Sequence, residues 1–433
     1  MTKNITTIIF VMLYVLKLEA QTVFHTEDIR HFFQAFDSVQ TTLDKQKQID
    51  FVQKIYLDQG SLGVKYAVEH SLDDNKIATA SDWVALMKNT KENLIRIRPF
   101  LENLPNQMKI LVPKFQYFKA QYPDFQEGNV YFIIGLGIFG GRPEAKNLFI
   151  GCEVIADEKL DWAVNYVLHE YVHTLQNRTI DALLAHCLNE GAADFIAETI
   201  NQKSLSEMYP NGHINFGNRN EKAVWKTFKK FMPSSEKGKF FDWLYGVKGR
   251  NINGGQMKDL GYFVGYKICK SHYDNATDKK QAIKEIIEMD VSTDEKARGF
   301  LLKSGYVPKK DLKFVKNFEF TKVTEVKKGQ KLIQYGYKIE KEVVVFEYDL
   351  PKDLDKNEVL MITIAGSFNG WNPKNLAYKM TNTKDNRYEF RLPITSLKEK
   401  YNEFKFVVNG DSWQFVPENA KNTQNGNLTL EIK

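Results

Sequence analysis

The sequence predicts an α+β chain: a mainly helical domain with a small sheet, followed by an antiparallel β-sandwich. Three observations carry this expectation. Apolar residues recur at three and four positions through much of residues 25–304, as Leu94, Ile97 and Leu101 do, which is the period of a helix with one buried face. Beyond Val307 the period falls to two over residues 343–348, 359–365, 388–392, 403–408 and 428–432, with Asn369-Gly370, Asn409-Gly410 and Asn425-Gly426 marking turns. At 433 residues the chain is too long for one ordinary compact domain, so the two textures read as two domains.

Residues 1–20 read as a secretory signal. Lys3 supplies a positive start, residues 5–16 an apolar run too short for a confident membrane span, and Ala20 a small residue for cleavage. An uncleaved anchor is the alternative, and either implies a secreted, periplasmic or cell-surface protein with no further membrane segment. No cysteine follows the run, so a lipidated N-terminus is not indicated. Cys152, Cys187 and Cys269 allow one intramolecular disulfide at most, so packing must supply the stability.

Residues 25–104 read as packed helices, and residues 129–135, β-branched and aromatic, as a buried strand. Gly135, Gly137, Gly140 and Gly141 form a turn or substrate-side loop rather than a phosphate loop, because no lysine-serine or lysine-threonine pair opens a helix there. A second strand is expected over 148–155. A long apolar helix follows over 160–176 with Asp157 as cap, then helices over 180–200, 221–231, 261–272, 279–289 and 293–304. The expected divisions are 1–20, a domain over 21–310, a lysine-rich linker over 311–339 and a sandwich over 340–433. The net charge of +6 is dispersed and its lysine excess lies in 309–341, a solvated stretch, which excludes a nucleic-acid stripe.

The chemistry concentrates in His169-Glu170-Tyr171-Val172-His173. On a helix, positions i and i+4 share a face, so both imidazoles reach one ion while Glu170, turned by about 100 degrees, flanks a bound water as general base. Three polar groups in an apolar helix are costly to bury unless an ion takes them as ligands. A catalytic zinc needs a third protein ligand and an open fourth position. Glu190, in Asn189-Glu-Gly-Ala-Ala-Asp194, follows by a distance that permits one turn and a return helix, and small residues at 191–193 permit close approach. Asp194, one turn on, is expected to accept the free N–H of a ligand histidine. His186 and Cys187 compete for the third position. Tyr262 and Tyr266, on one predicted helical face, are candidate oxyanion donors, with His213 and His272 behind them.

His-Glu-Tyr-Val-His-Thr followed by Asn-Glu-Gly-Ala-Ala-Asp-Phe-Ile-Ala-Glu resembles the gluzincin zinc metallopeptidases, and most nearly the predicted Zn-dependent proteases of DUF2268 type, over about residues 125–305. The resemblance implies a zincin-like fold, a Zn2+ cofactor, a peptide or protein substrate, and residues 148–152 as an edge strand that pairs with it. Ala365-Gly-Ser-Phe-Asn-Gly-Trp371-Asn-Pro, with residues 388–391 and 403–413, resembles the early-set, Ig-like glycogen-binding modules of carbohydrate-binding family 48. That resemblance implies an α-glucan site in which Trp371 and Trp413 stack on sugar faces while Lys405 and Asn427 bind hydroxyls. A binding or scaffolding protein with an idle metal site is the alternative reading. No carboxylate pair identifies a glycosidase.

Overall fold

The computed structural model describes residues 21–432 apart from 73–75, 138, 157–161, 178, 181, 234–241, 247–248, 321–331, 351–358, 411, 415, 418 and 425–426. The expected export signal and the Asp157 cap lie outside these residues. The chain is α+β, with contacts dividing it into two units: residues 1–176 with 196–202 and 283–287, and residues 177–195 with 203–282 and 288–433. Helix Leu183–Asn201 runs from the second into the first.

In the first unit, helices between residues 27 and 121 enclose an aromatic core. Helix Glu27–Val39 turns Ile29, Phe32, Phe33 and Phe36 inward, as its period requires. Tyr56 Oη and Trp83 Nε1 both donate to Ile134 O, at 2.7 and 2.9 Å, so each buried ring satisfies its polar atom on the backbone just past strand Asn129–Ile133. The sheet has the order β1 (Val23–His25), β2 (Asn129–Ile133), β4 (Asn147–Gly151), β3 (Gly141–Glu144). The first three strands are parallel, and β3 is antiparallel at the edge.

Two expectations are corrected here. The strand expected over 148–155 ends at Gly151, and Cys152–Ile155 is a helical turn. Glu153 explains the exit, because its carboxylate accepts the Gly135 and Gly137 N–H groups at 3.1 and 2.9 Å and draws the chain out of the sheet. Residues 148–152 are also not an edge, because β4 has β2 on one side and β3 on the other.

In the second unit, helices His213–Phe231 and Leu260–Asn275 extend the expected 221–231 and 261–272 in both cases. Residues 311–317, at the start of the expected lysine-rich linker, belong to a helical stretch that runs from Lys309 to Asn317. Asp311 anchors them: buried, it accepts from Trp225 Nε1 at 2.8 Å and Lys229 Nζ at 2.6 Å. Composition does not register such a contact.

Further along, two antiparallel sheets share one core of Val344, Phe346, Ile364, Phe404, Phe406 and Leu430. One orders Thr381–Lys384, Arg387–Pro393, Val343–Asp349 and Tyr337–Glu340. The other centres on Tyr401–Val408, paired with Ile362–Gly366, Ser412–Trp413 and Asn427–Glu431. All three cysteines are free and buried. No helix among the described residues is long and apolar enough to cross a membrane.

Candidate metal centre

Helix Trp162–Leu175 buries Val164, Val167, Leu168, Tyr171 and Val172, which fixes its rotation. His169 is buried on this helix, while Glu170 and His173 are half-buried. Tyr171 locks the turn between the histidines: its hydroxyl donates to Gln126 O at 2.8 Å, and its ring stacks on Phe125 at 5.4 Å.

His169, His173 and Glu190 bring one ligand atom each to within 4.8 Å of one another. The two imidazole Nε2 atoms are 3.3 Å apart. Two ligands each about 2.05 Å from a tetrahedral zinc are themselves about 3.3 Å apart, so the pair is spaced for that ion. His173 Nδ1 faces Gln176 Oε1 at 2.7 Å and donates to it, which leaves the Nε2 lone pair directed at His169. Two imidazoles and a carboxylate are a donor set that suits zinc. These three residues could hold a metal ion.

Beside Glu190 the structure places one group that sequence spacing did not single out. Tyr245, 42% exposed, donates to Glu190 Oε1 at 3.3 Å and lies 3.3 Å from His186 Nδ1. Asp194 accepts from His213 Nε2 at 2.9 Å. Tyr262 lies with its ring 5.8 Å from that of His213, and burial, then the Glu190 carboxylate, push its phenol well up. Tyr266 is buried against Phe195 at 5.8 Å, and His272 packs on Phe300 at 5.1 Å. Cys187 is wholly buried, and its carbonyl lies where a side chain on Gly265 would fall.

Gly191 sits in backbone contact with helix Leu260–Asn275. A Cβ on Gly191 would lie 2.1 Å from Tyr266 N, and one on Gly265 would lie 1.6 Å from Cys187 O. Gly191, the first of the small residues after Glu190, therefore serves this crossing. Gly141, at the start of β3, is equally constrained, since a Cβ there would meet Glu170 Cδ at 2.3 Å. The general-base candidate thus lies against the first residue of the sheet edge.

In the two-sheet region, Trp371 and Trp413 present rings 6.2 Å apart at 41°. Trp371 adopts a left-handed φ of 57°, and Trp413 is 39% exposed. Lys405 is half-buried, and desolvation lowers its ammonium from the usual lysine range. Asn427 donates to Glu403 Oε2 at 2.6 Å.

Comparison with known proteins gives no match, whether with family models, curated proteins or solved structures.

Proposed function

We propose that the protein is a zinc-dependent metallopeptidase of gluzincin type, zincin-like in its helical part and exported to the cell surface or beyond. The approach of His169, His173 and Glu190 carries this reading. Zinc held there would acidify a bound water and polarise a substrate carbonyl. Glu170 would accept a proton from the attacking water and return it to the leaving amine. Gln176 fixes the His173 tautomer. Tyr245 and Tyr262 are the hydroxyl groups near Glu190 that would steady a developing oxyanion, with His213, bonded to Asp194, beside Tyr262. The buried ring of Tyr266 fits packing better than that role.

An extended peptide is the substrate that fits β3. Among the described residues one side of this strand pairs with no other strand, and its first residue touches the base. The deciding experiment measures zinc in the purified protein and then cleavage of mixed peptides by wild type and Glu170→Gln. Zinc retained in both, with cleavage lost only in the variant, is the expected result. Absence of bound zinc would remove the mechanism.

The paired rings of Trp371 and Trp413 favour a second reading for the Ig-like region, as an α-glucan platform. Retention of the chain on polymeric glucan, lost in Trp371→Ala, supports it. If glucan is bound and no peptide is cut, the carbohydrate-binding or scaffolding reading takes the place of the peptidase.

A further inference from the structure

We propose that Pro143 limits the pairing of a peptide along the β3 edge to one full residue, opposite Gly141, and thereby sets how much of the substrate's N-terminal side is read. The inference rests on the peptidase reading.

Backbone groups of an antiparallel strand point alternately to either side. Gly151 N donates to Gly140 O at 2.8 Å, so residue 140 addresses β4. The two-residue turn at Ala145 and Lys146 pairs Glu144 with Asn147, so residue 144 does the same. Residues 140, 142 and 144 therefore bond inward, and 141 and 143 face the open edge. Gly141 offers both its N–H and its C=O there. Pro143 offers only a C=O, because its ring replaces the donor. A proline is tolerated at this position because β4 makes no demand on its nitrogen.

The consequence for an antiparallel peptide is asymmetric. The residue opposite Gly141 gains two hydrogen bonds, and it gains them beside Glu170, whose carboxyl carbon lies 2.3 Å from where a Gly141 Cβ would fall. The preceding peptide residue, opposite Arg142, gains no backbone bond because Arg142 faces β4. The residue before that can donate to Pro143 O, yet its own carbonyl finds no donor. An N-terminal extension of the substrate is thus rewarded once and weakly. Gly141 alone fixes the register beside the base.

The test uses the full chain carrying Glu170→Gln, loaded with zinc, so that peptides bind without being cut. Fluorescent peptides extended one residue at a time at the N-terminus are titrated by anisotropy, with and without Pro143→Ala. In the Pro143 background, affinity should gain little as the ladder passes the residue opposite Arg142. In the Pro143→Ala background the next residue should tighten binding by about a further five-fold, one hydrogen bond's worth. Identical ladders in the two backgrounds, or a uniform change at every length, overturn the inference. Wild-type chain that holds zinc but cuts no peptide overturns the peptidase reading instead. Failure of every peptide to bind removes both.

Discussion

At the scale of single residues, the histidine pair depends on a neighbour that lies within one helical turn. Gln176 receives the His173 Nδ1 proton at 2.7 Å and so keeps Nε2 available as a ligand. Gln176→Ala should weaken zinc binding about 10- to 100-fold, as outer partners of ligand histidines do, with the fold intact. Competition against a chelating dye measures this, and unchanged affinity would mean that the ring is held otherwise. Asp28 offers a pH-dependent counterpart away from the metal. It is fully buried, accepts from Ser61 N at 3.0 Å and from Ser61 Oγ, and burial raises its carboxyl despite those bonds. A raised carboxyl means that the fold binds a proton the unfolded chain has released, so this contribution is full below about pH 4 and is lost as pH rises through the folded value. Asp28→Asn should flatten that loss between acid and neutral pH in denaturant titrations. An unaltered pH profile would show that Asp28 is not its source. The histidines and Glu170 were legible in the sequence because helical spacing is local. Tyr245, 55 residues beyond Glu190, carries no periodic signal that could announce its bond.

Between elements, the decisive contacts are those that admit no side chain. Gly191 and Gly265 let helices Leu183–Asn201 and Leu260–Asn275 cross at backbone distance. Either residue changed to Ala should destabilise by about 1–3 kcal/mol or more through overpacking. Gly191→Ala should also weaken zinc binding, since it displaces the helix beside Glu190, whereas Gly265→Ala should do so less. Equal zinc affinity in both variants would separate the crossing from the ligand. Gly141→Ala probes the sheet edge in the same way, by pressing a methyl into the Glu170 carboxyl. It should abolish cleavage while zinc content stays at wild-type level, and full activity would show that Glu170 has room to move. Sequence pattern located the glycines but not their partners. It missed β3 altogether, because Gly-Arg-Pro-Glu has neither alternation nor β-branched residues and is a strand only through pairing with β4. It extended β4 through Cys152–Ile155 for the opposite reason, since an apolar run does not reveal where a carboxylate such as Glu153 will turn the chain.

For the whole molecule, zinc would act as a crosslink between a helix ending at Leu175 and one beginning at Leu183. A ligand that binds only the folded state adds stability by mass action, about 4 kcal/mol at a thousandfold excess over its dissociation constant. The two-sheet region supplies its own core, from Val344 to Leu430, and none of His169, His173 or Glu190 belongs to it. Calorimetry of the full chain should therefore show two kinds of response to a strong chelator. The transition of the helical part should fall by several degrees and recover when zinc is restored, while that of the two-sheet region stays in place. The same experiment on His173→Ala should show the lower transition from the outset and no further effect of chelator, because the crosslink is already broken. A single transition that ignores the chelator in both proteins would mean that the three side chains lie close for reasons of packing alone, and the peptidase mechanism would lose its metal.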